Sequence, residues 1–299
     1  MGERLRRLKK GAIASLAAIS MSSGIGFAVP SDYNKAAEDA RQAYIYEHQD
    51  IDGMYDYDSD CVPNLENILN EIKDSTYEID SLVVYKADGG ISPGTKILMA
   101  GGSALLLDNG YIISAAHVIK NDLEKMVWQS GGVVTSYNET SFLNANGILY
   151  QLEKAWTGSG DDDFTILKIK DPLQSLHSAS IRFGSTEYLA NGSITYTFSA
   201  INEPWIKEGH VFNRENGNSI YDNDNYEYFL EDTYLTHGDS GGPVIAFRDG
   251  VPELIGITSY YTHVSYGQCL VRKSGILKID VVLECAGDIL MPSTISSYP

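Results

Sequence analysis

The chain has 299 residues, 43% of them hydrophobic, which is enough material to fill the core of one large or two medium globular units. It carries 40 acidic and 22 basic side chains, so its formal net charge at pH 7 is −18. A chain this acidic repels phosphate backbones, and we therefore expect no nucleic-acid partner.

Residues 1–28 have the pattern of a secretory signal peptide. Five basic side chains at the start are followed by a small, apolar stretch over residues 11–27. Gly26 and Ala28 are small residues at the two positions that a signal peptidase requires, so we expect cleavage after Ala28. An uncleaved membrane anchor is the alternative, but the stretch is only marginally long enough to span a bilayer. We therefore expect a secreted or periplasmic protein with no stable membrane insertion once the signal is removed.

Residues 29–76 form an acidic extension, and residues 29–75 of it contain twelve acidic and three basic side chains. A propeptide and a surface extension are both compatible with this composition. The aspartates at 56, 58 and 60 alternate as at the start of an EF-hand calcium loop. Cys61 stands where that loop requires glycine, so we expect no metal site.

From residue 77 onward, short β-type runs alternate with turns. Closely spaced strands without long helices between them favour barrels or a sandwich. The apolar residues of 279–290 are spaced to give a helix one buried face, which predicts a C-terminal helix. The predicted strands cover residues 82–85, 96–99, 103–107, 111–113, 148–152, 164–169, 193–198, 228–230, 243–247, 254–257 and 275–277.

Residues 238–243, Gly-Asp-Ser-Gly-Gly-Pro, are the strongest candidate for a catalytic nucleophile. A serine between glycines can present its hydroxyl beside two backbone N–H groups, here those of Gly238 and Ser240, that would bind a developing oxyanion. The nucleophile of an α/β-hydrolase has a similar motif, but a helix follows it. Residues 244–247 instead predict a strand, which places Ser240 on a loop that enters a sheet.

A serine nucleophile needs a base, and one of the six histidines lies in a distinctive setting. An apolar strand leads into two alanines and then His117, and the alanines leave room for another segment to pack beside it. Asp163 is the last of three aspartates before the strand at 164–169, so it is the aspartate best placed to be held rigidly. A carboxylate in that role fixes the tautomer of the histidine and stabilises its charged form.

Three motifs follow one another in the order His, Asp, Ser: Ser-Ala-Ala-His at 114–117, Asp-Phe-Thr-Ile-Leu at 163–167 and Gly-Asp-Ser-Gly-Gly-Pro at 238–243. With these motifs the sequence resembles the chymotrypsin-type (trypsin-like) serine proteases over roughly residues 78–290. The resemblance implies an all-β fold of two antiparallel six-stranded β-barrels and a C-terminal helix. The protease domain would cover 77–290, with barrels at about 77–177 and 178–277, and 291–299 would form a tail.

The resemblance also implies the roles of the site residues. Ser240 would be the nucleophile, His117 the general base and Asp163 the orienting carboxylate. Gly238 and Ser240 would supply the oxyanion donors, and no cofactor is implied. A second set of positions would bind substrate: Tyr234, His237, Ser259, Tyr260 and Gly275.

Two family features are absent from this sequence. Relatives that cut after Lys or Arg hold an aspartate where this chain has Tyr234, so trypsin-type specificity is not expected. Relatives activated by cleavage pair the residue equivalent to Asp239 with the freed N-terminal amine, but no Ile-Val-Gly-Gly signature lies upstream. We therefore expect Asp239 to pair with some other group.

The cysteines number three, at positions 61, 269 and 285. In an exported protein one pair can form, and the three connectivities stay open.

These observations predict a monomeric, secreted serine endopeptidase that acts on proteins or peptides. The alternative is a catalytically weak or inactive protease-fold protein with a binding or adhesion role, although no triad member is missing. A further alternative is an HtrA-like protein, in which a peptide-binding module follows the protease domain. We expect no such module, because about fifty residues follow the nucleophile's strand.

Overall fold

The computed structural model describes residue 55 and residues 62–89, 94–119, 132–157, 163–171, 176–213, 228–266 and 269–291. The predicted signal peptide lies outside these residues, as do most of the predicted extension and the predicted tail. No helix within them combines the length and the apolarity that crossing a membrane requires.

The first half of the chain forms a closed barrel of six antiparallel strands. They are β1 (Thr76–Gly89), β2 (Gly94–Leu106), β3 (Tyr111–Ser114), β4 (Gly132–Ala145), β5 (Ile148–Thr157) and β6 (Thr165–Ile169). Their order is β1-β2-β3-β6-β5-β4, and β1 pairs with β4 to close the barrel. Side chains alternate between the two faces of each strand, and Ile79, Ile112, Leu143 and Leu167 fill the interior.

The second half forms another six-stranded barrel with one added strand. Its strands are β7 (Arg182–Phe183), β8 (Ile194–Phe198), β9 (Ile206–Asn213), β10 (Tyr228–Glu231), β11 (Pro243–Arg248), β12 (Val251–Tyr266) and β13 (Cys269–Lys278). The order is β11-β8-β9-β10-β13-β12, and pairing of β11 with β12 closes the ring. The short strand β7 lies parallel to β12, outside the ring. The prediction of two antiparallel six-stranded barrels is confirmed.

A hydrophobic core joins the two barrels. Leu105, Ile113 and Ile166 of the first barrel belong to the same buried cluster as Phe198 and Ile245 of the second. The predicted C-terminal helix is present as α3 (Ile279–Leu290), and its buried face packs into this cluster. The helix therefore covers the shared core rather than ending in solvent. Two further helices are α1 (Leu65–Asp74) and the one-turn α2 (Ala116–Ile119).

The described part of the N-terminal extension is built into the fold. Leu69 and Ile72 of α1 are buried in the core that joins the barrels. Further upstream, Tyr55 is completely buried, and its hydroxyl donates a hydrogen bond of 2.7 Å to Glu253. Burial, this bond and the charge of Glu253 raise the pKa of Tyr55. Gly184 makes room for the ring, because a Cβ there would lie 2.1 Å from the tyrosine oxygen.

We predict that Tyr55 stabilises the protein. Tyr55→Ala should lower the free energy of unfolding by about 3–5 kcal/mol, as other buried aromatic truncations do. Tyr55→Phe should cost about 1–3 kcal/mol, because Glu253 loses a buried donor. The control is Val133→Ala, whose side chain is 66% exposed, so its truncation should change little. Urea unfolding followed by fluorescence measures all three variants, and equal stabilities for Tyr55→Ala and Val133→Ala would contradict the anchoring role.

Candidate active site

The one-turn helix α2 carries His117 at the end of β3. Ala116, Val118 and Ile119 are buried, so the helix is fixed to the first barrel while the imidazole stays 47% exposed. The loop that carries Ser240 packs against the residues that precede His117. A Cβ on Gly241 of that loop would lie 2.9 Å from the backbone nitrogen of Ala115. The sequence expectation that a second segment packs beside the histidine is therefore met.

Asp163 holds His117 at two points. The Nδ1 atom of His117 lies 2.7 Å from Oδ2 of Asp163, and the backbone N–H of His117 donates to Oδ1 over 2.9 Å. The hydroxyl of Ser259 donates to Oδ2 as well. Burial alone would raise the pKa of Asp163, but the hydrogen bonds and charge of His117, with the bond from Ser259, outweigh it and hold that pKa below its usual value. An ionised Asp163 keeps the proton on Nδ1, which leaves Nε2 to act as the base.

The loop that carries Ser240 is fixed to the first barrel by main-chain and hydroxyl bonds. The backbone N–H of Ser103 donates to the carbonyl of Ser240 over 2.8 Å, and the Ser103 hydroxyl donates to the carbonyl of Gly238 over 2.9 Å. A Cβ on Gly102 would lie 2.6 Å from both the Ser240 carbonyl oxygen and the side chain of Val118. Glycine at 102 therefore lets the loop that carries Ser240 approach the helix that carries His117.

Ser240 is joined to the pair through Ser259. Its hydroxyl donates to the carbonyl of Ser259 over 3.2 Å, and the hydroxyl of the same Ser259 bonds Asp163. Among the described residues no hydrogen bond links Ser240 to His117. Proton transfer would require the Ser240 side chain to turn from this carbonyl toward Nε2, and catalytic hydrogen bonds are often loose before substrate binds.

Two backbone N–H groups beside Ser240 are available to a ligand. Gly238 has a φ of 100°, a left-handed conformation that favours glycine. Neither its N–H nor that of Ser240 donates a backbone hydrogen bond within the part of the chain that the structure describes. Backbone N–H groups of this kind can stabilise an oxyanion, and that role for Gly238 and Ser240 stays a prediction.

Asp239 lies between these two donors and is wholly buried. It forms a salt bridge with Lys207, whose side chain is 10% exposed, and it accepts a 2.7 Å bond from the backbone N–H of Thr236. Burial alone would raise the pKa of Asp239, but the bonds from Lys207, Thr236, Ser199 and Asn202 outweigh it and lower that pKa. The expected partner of Asp239 is thus Lys207, which the sequence did not identify.

The predicted substrate-binding residues have different surroundings. Ser259 donates to Asp163 and accepts from Ser240, while Tyr234 and His237 are exposed. The Tyr260 ring lies over Gly275, where a Cβ would come within 2.4 Å of it, and it meets the Tyr228 ring edge-on at 5.1 Å. Their role in substrate binding stays a prediction. No group of three or more His, Cys, Asp or Glu side chains among the described residues is arranged to hold a metal.

Comparisons with known proteins agree with this architecture. A family model described as the trypsin-like peptidase domain matches residues 102–257, which is 156 of the 299 residues. No curated protein matches the sequence.

Two solved structures illustrate the shared fold. The first is the HtrA-type protease AlgW with a decapeptide, whose sequence is 14% identical to this chain and whose structure matches it with a TM-score of 0.50. The match covers 75% of this chain and 67% of the AlgW chain. A variant of the same protease with the decapeptide is also 14% identical, with a TM-score of 0.52, over 75% of this chain and 66% of its own. The chain thus spans about two thirds of the length of these structures, and at this identity the likeness shows the fold alone. On the family match, the chain belongs to the trypsin-like peptidase family of serine endopeptidases.

Proposed function

We propose that the protein is an exported endopeptidase that cleaves proteins or peptides through an acyl-enzyme on Ser240. The observation that supports this most directly is the 2.7 Å contact between His117 Nδ1 and Asp163 Oδ2, beside the loop that carries Ser240. Export rests on the predicted signal peptide over residues 1–28.

The proposed reaction uses each residue in turn. Nε2 of His117 takes the hydroxyl proton of Ser240 as the oxygen attacks the substrate carbonyl. The N–H groups of Gly238 and Ser240 bind the resulting oxyanion, and Asp163 stabilises the imidazolium. His117 then returns its proton to the leaving amine. Water, activated by the same imidazole, hydrolyses the acyl-enzyme and restores Ser240.

The substrate is expected to be an extended polypeptide, as the decapeptide in the AlgW structures suggests by analogy. We keep Tyr234, His237, Ser259, Tyr260 and Gly275 as the proposed substrate-binding positions. Tyrosine at 234 leaves that position without a negative charge, so a preference for Lys or Arg is not expected.

The N-terminal region bears on whether the protein is made as a zymogen. Residues 29–54 and 56–61 lie outside the described residues, so a propeptide stays a prediction there. From Tyr55 onward the described extension packs against the barrels, and we therefore place any maturation cleavage upstream of Tyr55. The monomeric state and the cysteine pairing also stay predictions.

A non-catalytic binding protein is the second candidate. The observation in its favour is that the Ser240 hydroxyl bonds the Ser259 carbonyl instead of His117. Such a protein would keep the fold but would not activate its serine.

A fluorophosphonate probe separates the two candidates, because it reacts with an activated serine and not with an ordinary one. We expect the full-length protein to be labelled and Ser240→Ala to be unlabelled. The control is Ser136→Ala, which removes an exposed hydroxyl from β4 and should be labelled like the wild type. Labelling that survives Ser240→Ala would contradict the nucleophile assignment. A folded wild type that neither reacts with the probe nor cleaves peptides would favour the binding role.

The same experiment tests the zymogen hypothesis. Intact-mass analysis of the labelled protein identifies the N-terminus of every reactive species. Labelling of chains that still contain residues 29–54 would show that no propeptide blocks the site. Labelling restricted to shorter chains would show that this segment is inhibitory.

A further inference from the structure

We propose that Lys207 is a positioning residue that holds the oxyanion loop ready for catalysis without any N-terminal cleavage. This inference rests on the proposed serine peptidase function and concerns the same site. In relatives activated by cleavage, the aspartate at this position pairs with the freed N-terminal amine. Here the ammonium of Lys207 would take the place of that amine.

The first argument is the set of donors around Asp239, to which the Ser199 side chain also belongs. Its Oδ2 atom accepts from the Lys207 ammonium, from the Thr236 backbone N–H at 2.7 Å and from the Thr236 hydroxyl at 3.2 Å. Its Oδ1 atom accepts from the Asn202 amide at 3.1 Å. A wholly buried carboxylate must be paired, and Lys207 supplies the positive charge. The charge of Asp239 is therefore balanced from within the fold, without an additional amine.

The second argument is where this carboxylate lies in the chain. Asp239 is the residue between Gly238 and Ser240, whose N–H groups would bind the oxyanion. Its carbonyl accepts from the hydroxyl of Thr258 at 2.5 Å, and its N–H donates to the carbonyl of Thr236 at 3.1 Å. With side chain, carbonyl and N–H all bonded, the peptide groups on either side of Asp239 have fixed orientations. The N–H of Ser240 shares a peptide group with the Asp239 carbonyl, so holding Asp239 holds this donor. The N–H of Gly238 shares a peptide group with the His237 carbonyl, which is held by Asn202, itself bonded to the Asp239 side chain.

The third argument is the rigidity of the support. Lys207 lies on β9, in register with Thr197 of β8, so the ammonium projects from a paired barrel strand. Asn202 extends the tie, because its amide also donates to the carbonyl of His237 at 2.7 Å. The loop that carries Ser240 is thus bonded to the second barrel through Lys207 and to the first barrel through Ser103.

The fourth argument is the position of the upstream chain. The described N-terminal residue, Tyr55, is held by Glu253 and by the backbone N–H of Ser185. Helix α1 is packed into the core that joins the barrels. The described part of the extension thus contributes to the packing of the fold. The positive charge that pairs with Asp239 comes instead from Lys207, in the second barrel.

The test measures steady-state hydrolysis of a peptide substrate by full-length variants, with kcat normalised to the fluorophosphonate-reactive fraction. Lys207→Met should lower kcat by about 100-fold, the usual effect of losing an oxyanion donor, with KM little changed. Lys207→Arg keeps the charge and should recover much of the loss. The matched control is Lys154→Met, which breaks an exposed 3.1 Å ion pair with Glu139 and should leave kcat unchanged.

A second variant separates positioning from folding. Lys207→Met leaves a buried, unpaired carboxylate and can reduce the folded fraction, whereas the double variant Lys207→Met, Asp239→Asn removes both charges. We expect the double variant to show a native circular dichroism spectrum and still to have a low kcat. A folded double variant with wild-type kcat would overturn the positioning role. A wild type without activity or labelling would instead overturn the proposed function, and this inference with it.

Discussion

Replacing His117 with alanine should lower kcat for peptide hydrolysis by about a million-fold, the loss expected when the base of a working triad is removed. Among the described residues, the other side chain bonded to Asp163 is Ser259, whose hydroxyl is not a base that could take the proton of Ser240. The imidazole is about half exposed, and the backbone N–H of His117 keeps its own bond to Asp163. The fold should therefore survive the substitution, and the loss should appear in kcat at an unchanged melting temperature.

His177→Ala is the matched control for this prediction. The side chain of His177 is exposed, and its carbonyl, which accepts a bond from Tyr77, is untouched by the substitution. Its kcat should equal that of the wild type. Substantial hydrolysis by the His117 variant would show that another group takes the proton from Ser240, and the roles assigned above would have to be abandoned.

Asp163→Asn should lower kcat by about ten-thousand-fold while the structure is retained. An amide in this place can donate to Nδ1 of His117 and so put the proton on Nε2, where it blocks the base. The variant also removes the partner that stabilises the imidazolium. Because the pKa of Asp163 is below its usual value, the carboxylate of the wild type should stay ionised through the neutral range. Only at acidic pH should protonation remove its charge and lower kcat, as the variant does at every pH.

The chain offers a close control in a second Asp-His pair. Asp232 accepts the backbone N–H of His210 at 2.6 Å, and its other oxygen lies 3.5 Å from His210 Nδ1. Asp232→Asn alters this similar pair, which shares no hydrogen bond with Ser240, His117 or Asp163 among the described residues, and it should leave kcat unchanged. Equal losses in the two variants would mean that the effect of Asp163→Asn comes from general destabilisation of the fold.

Much of the architecture was predictable because its signals are local. The strands of both barrels contain apolar residues bounded by turn residues, and the apolar spacing of α3 gives it one buried face. The motifs around His117, Asp163 and Ser240 were recognisable because the chemistry restricts which residues can stand beside each one. Small residues precede the histidine, and glycines surround the serine.

The elements that the sequence did not predict lack such local signals. Strand β9 reads Ile-Lys-Glu-Gly-His-Val-Phe-Asn, which has no apolar run, and its pairing with β8 determines its structure. Strand β4 is likewise rich in polar residues, and α1 follows an acidic stretch full of turn residues. The partners of the site were hidden for a related reason. Lys207 and Asp239 are 32 residues apart, and only the closed barrel brings them together.

Gly102 of the first barrel lies where the loop that carries Ser240 meets the helix that carries His117. A Cβ on Gly102 would lie 2.6 Å from the carbonyl oxygen of Ser240, so the two backbones can approach this closely only because Gly102 has no side chain. A methyl group here would collide with the Ser240 carbonyl and with Val118, and it would push the loop that carries the serine away from the helix that carries the histidine. Gly102 is therefore expected to tolerate no larger side chain, although its own role is only to let the two barrels approach each other.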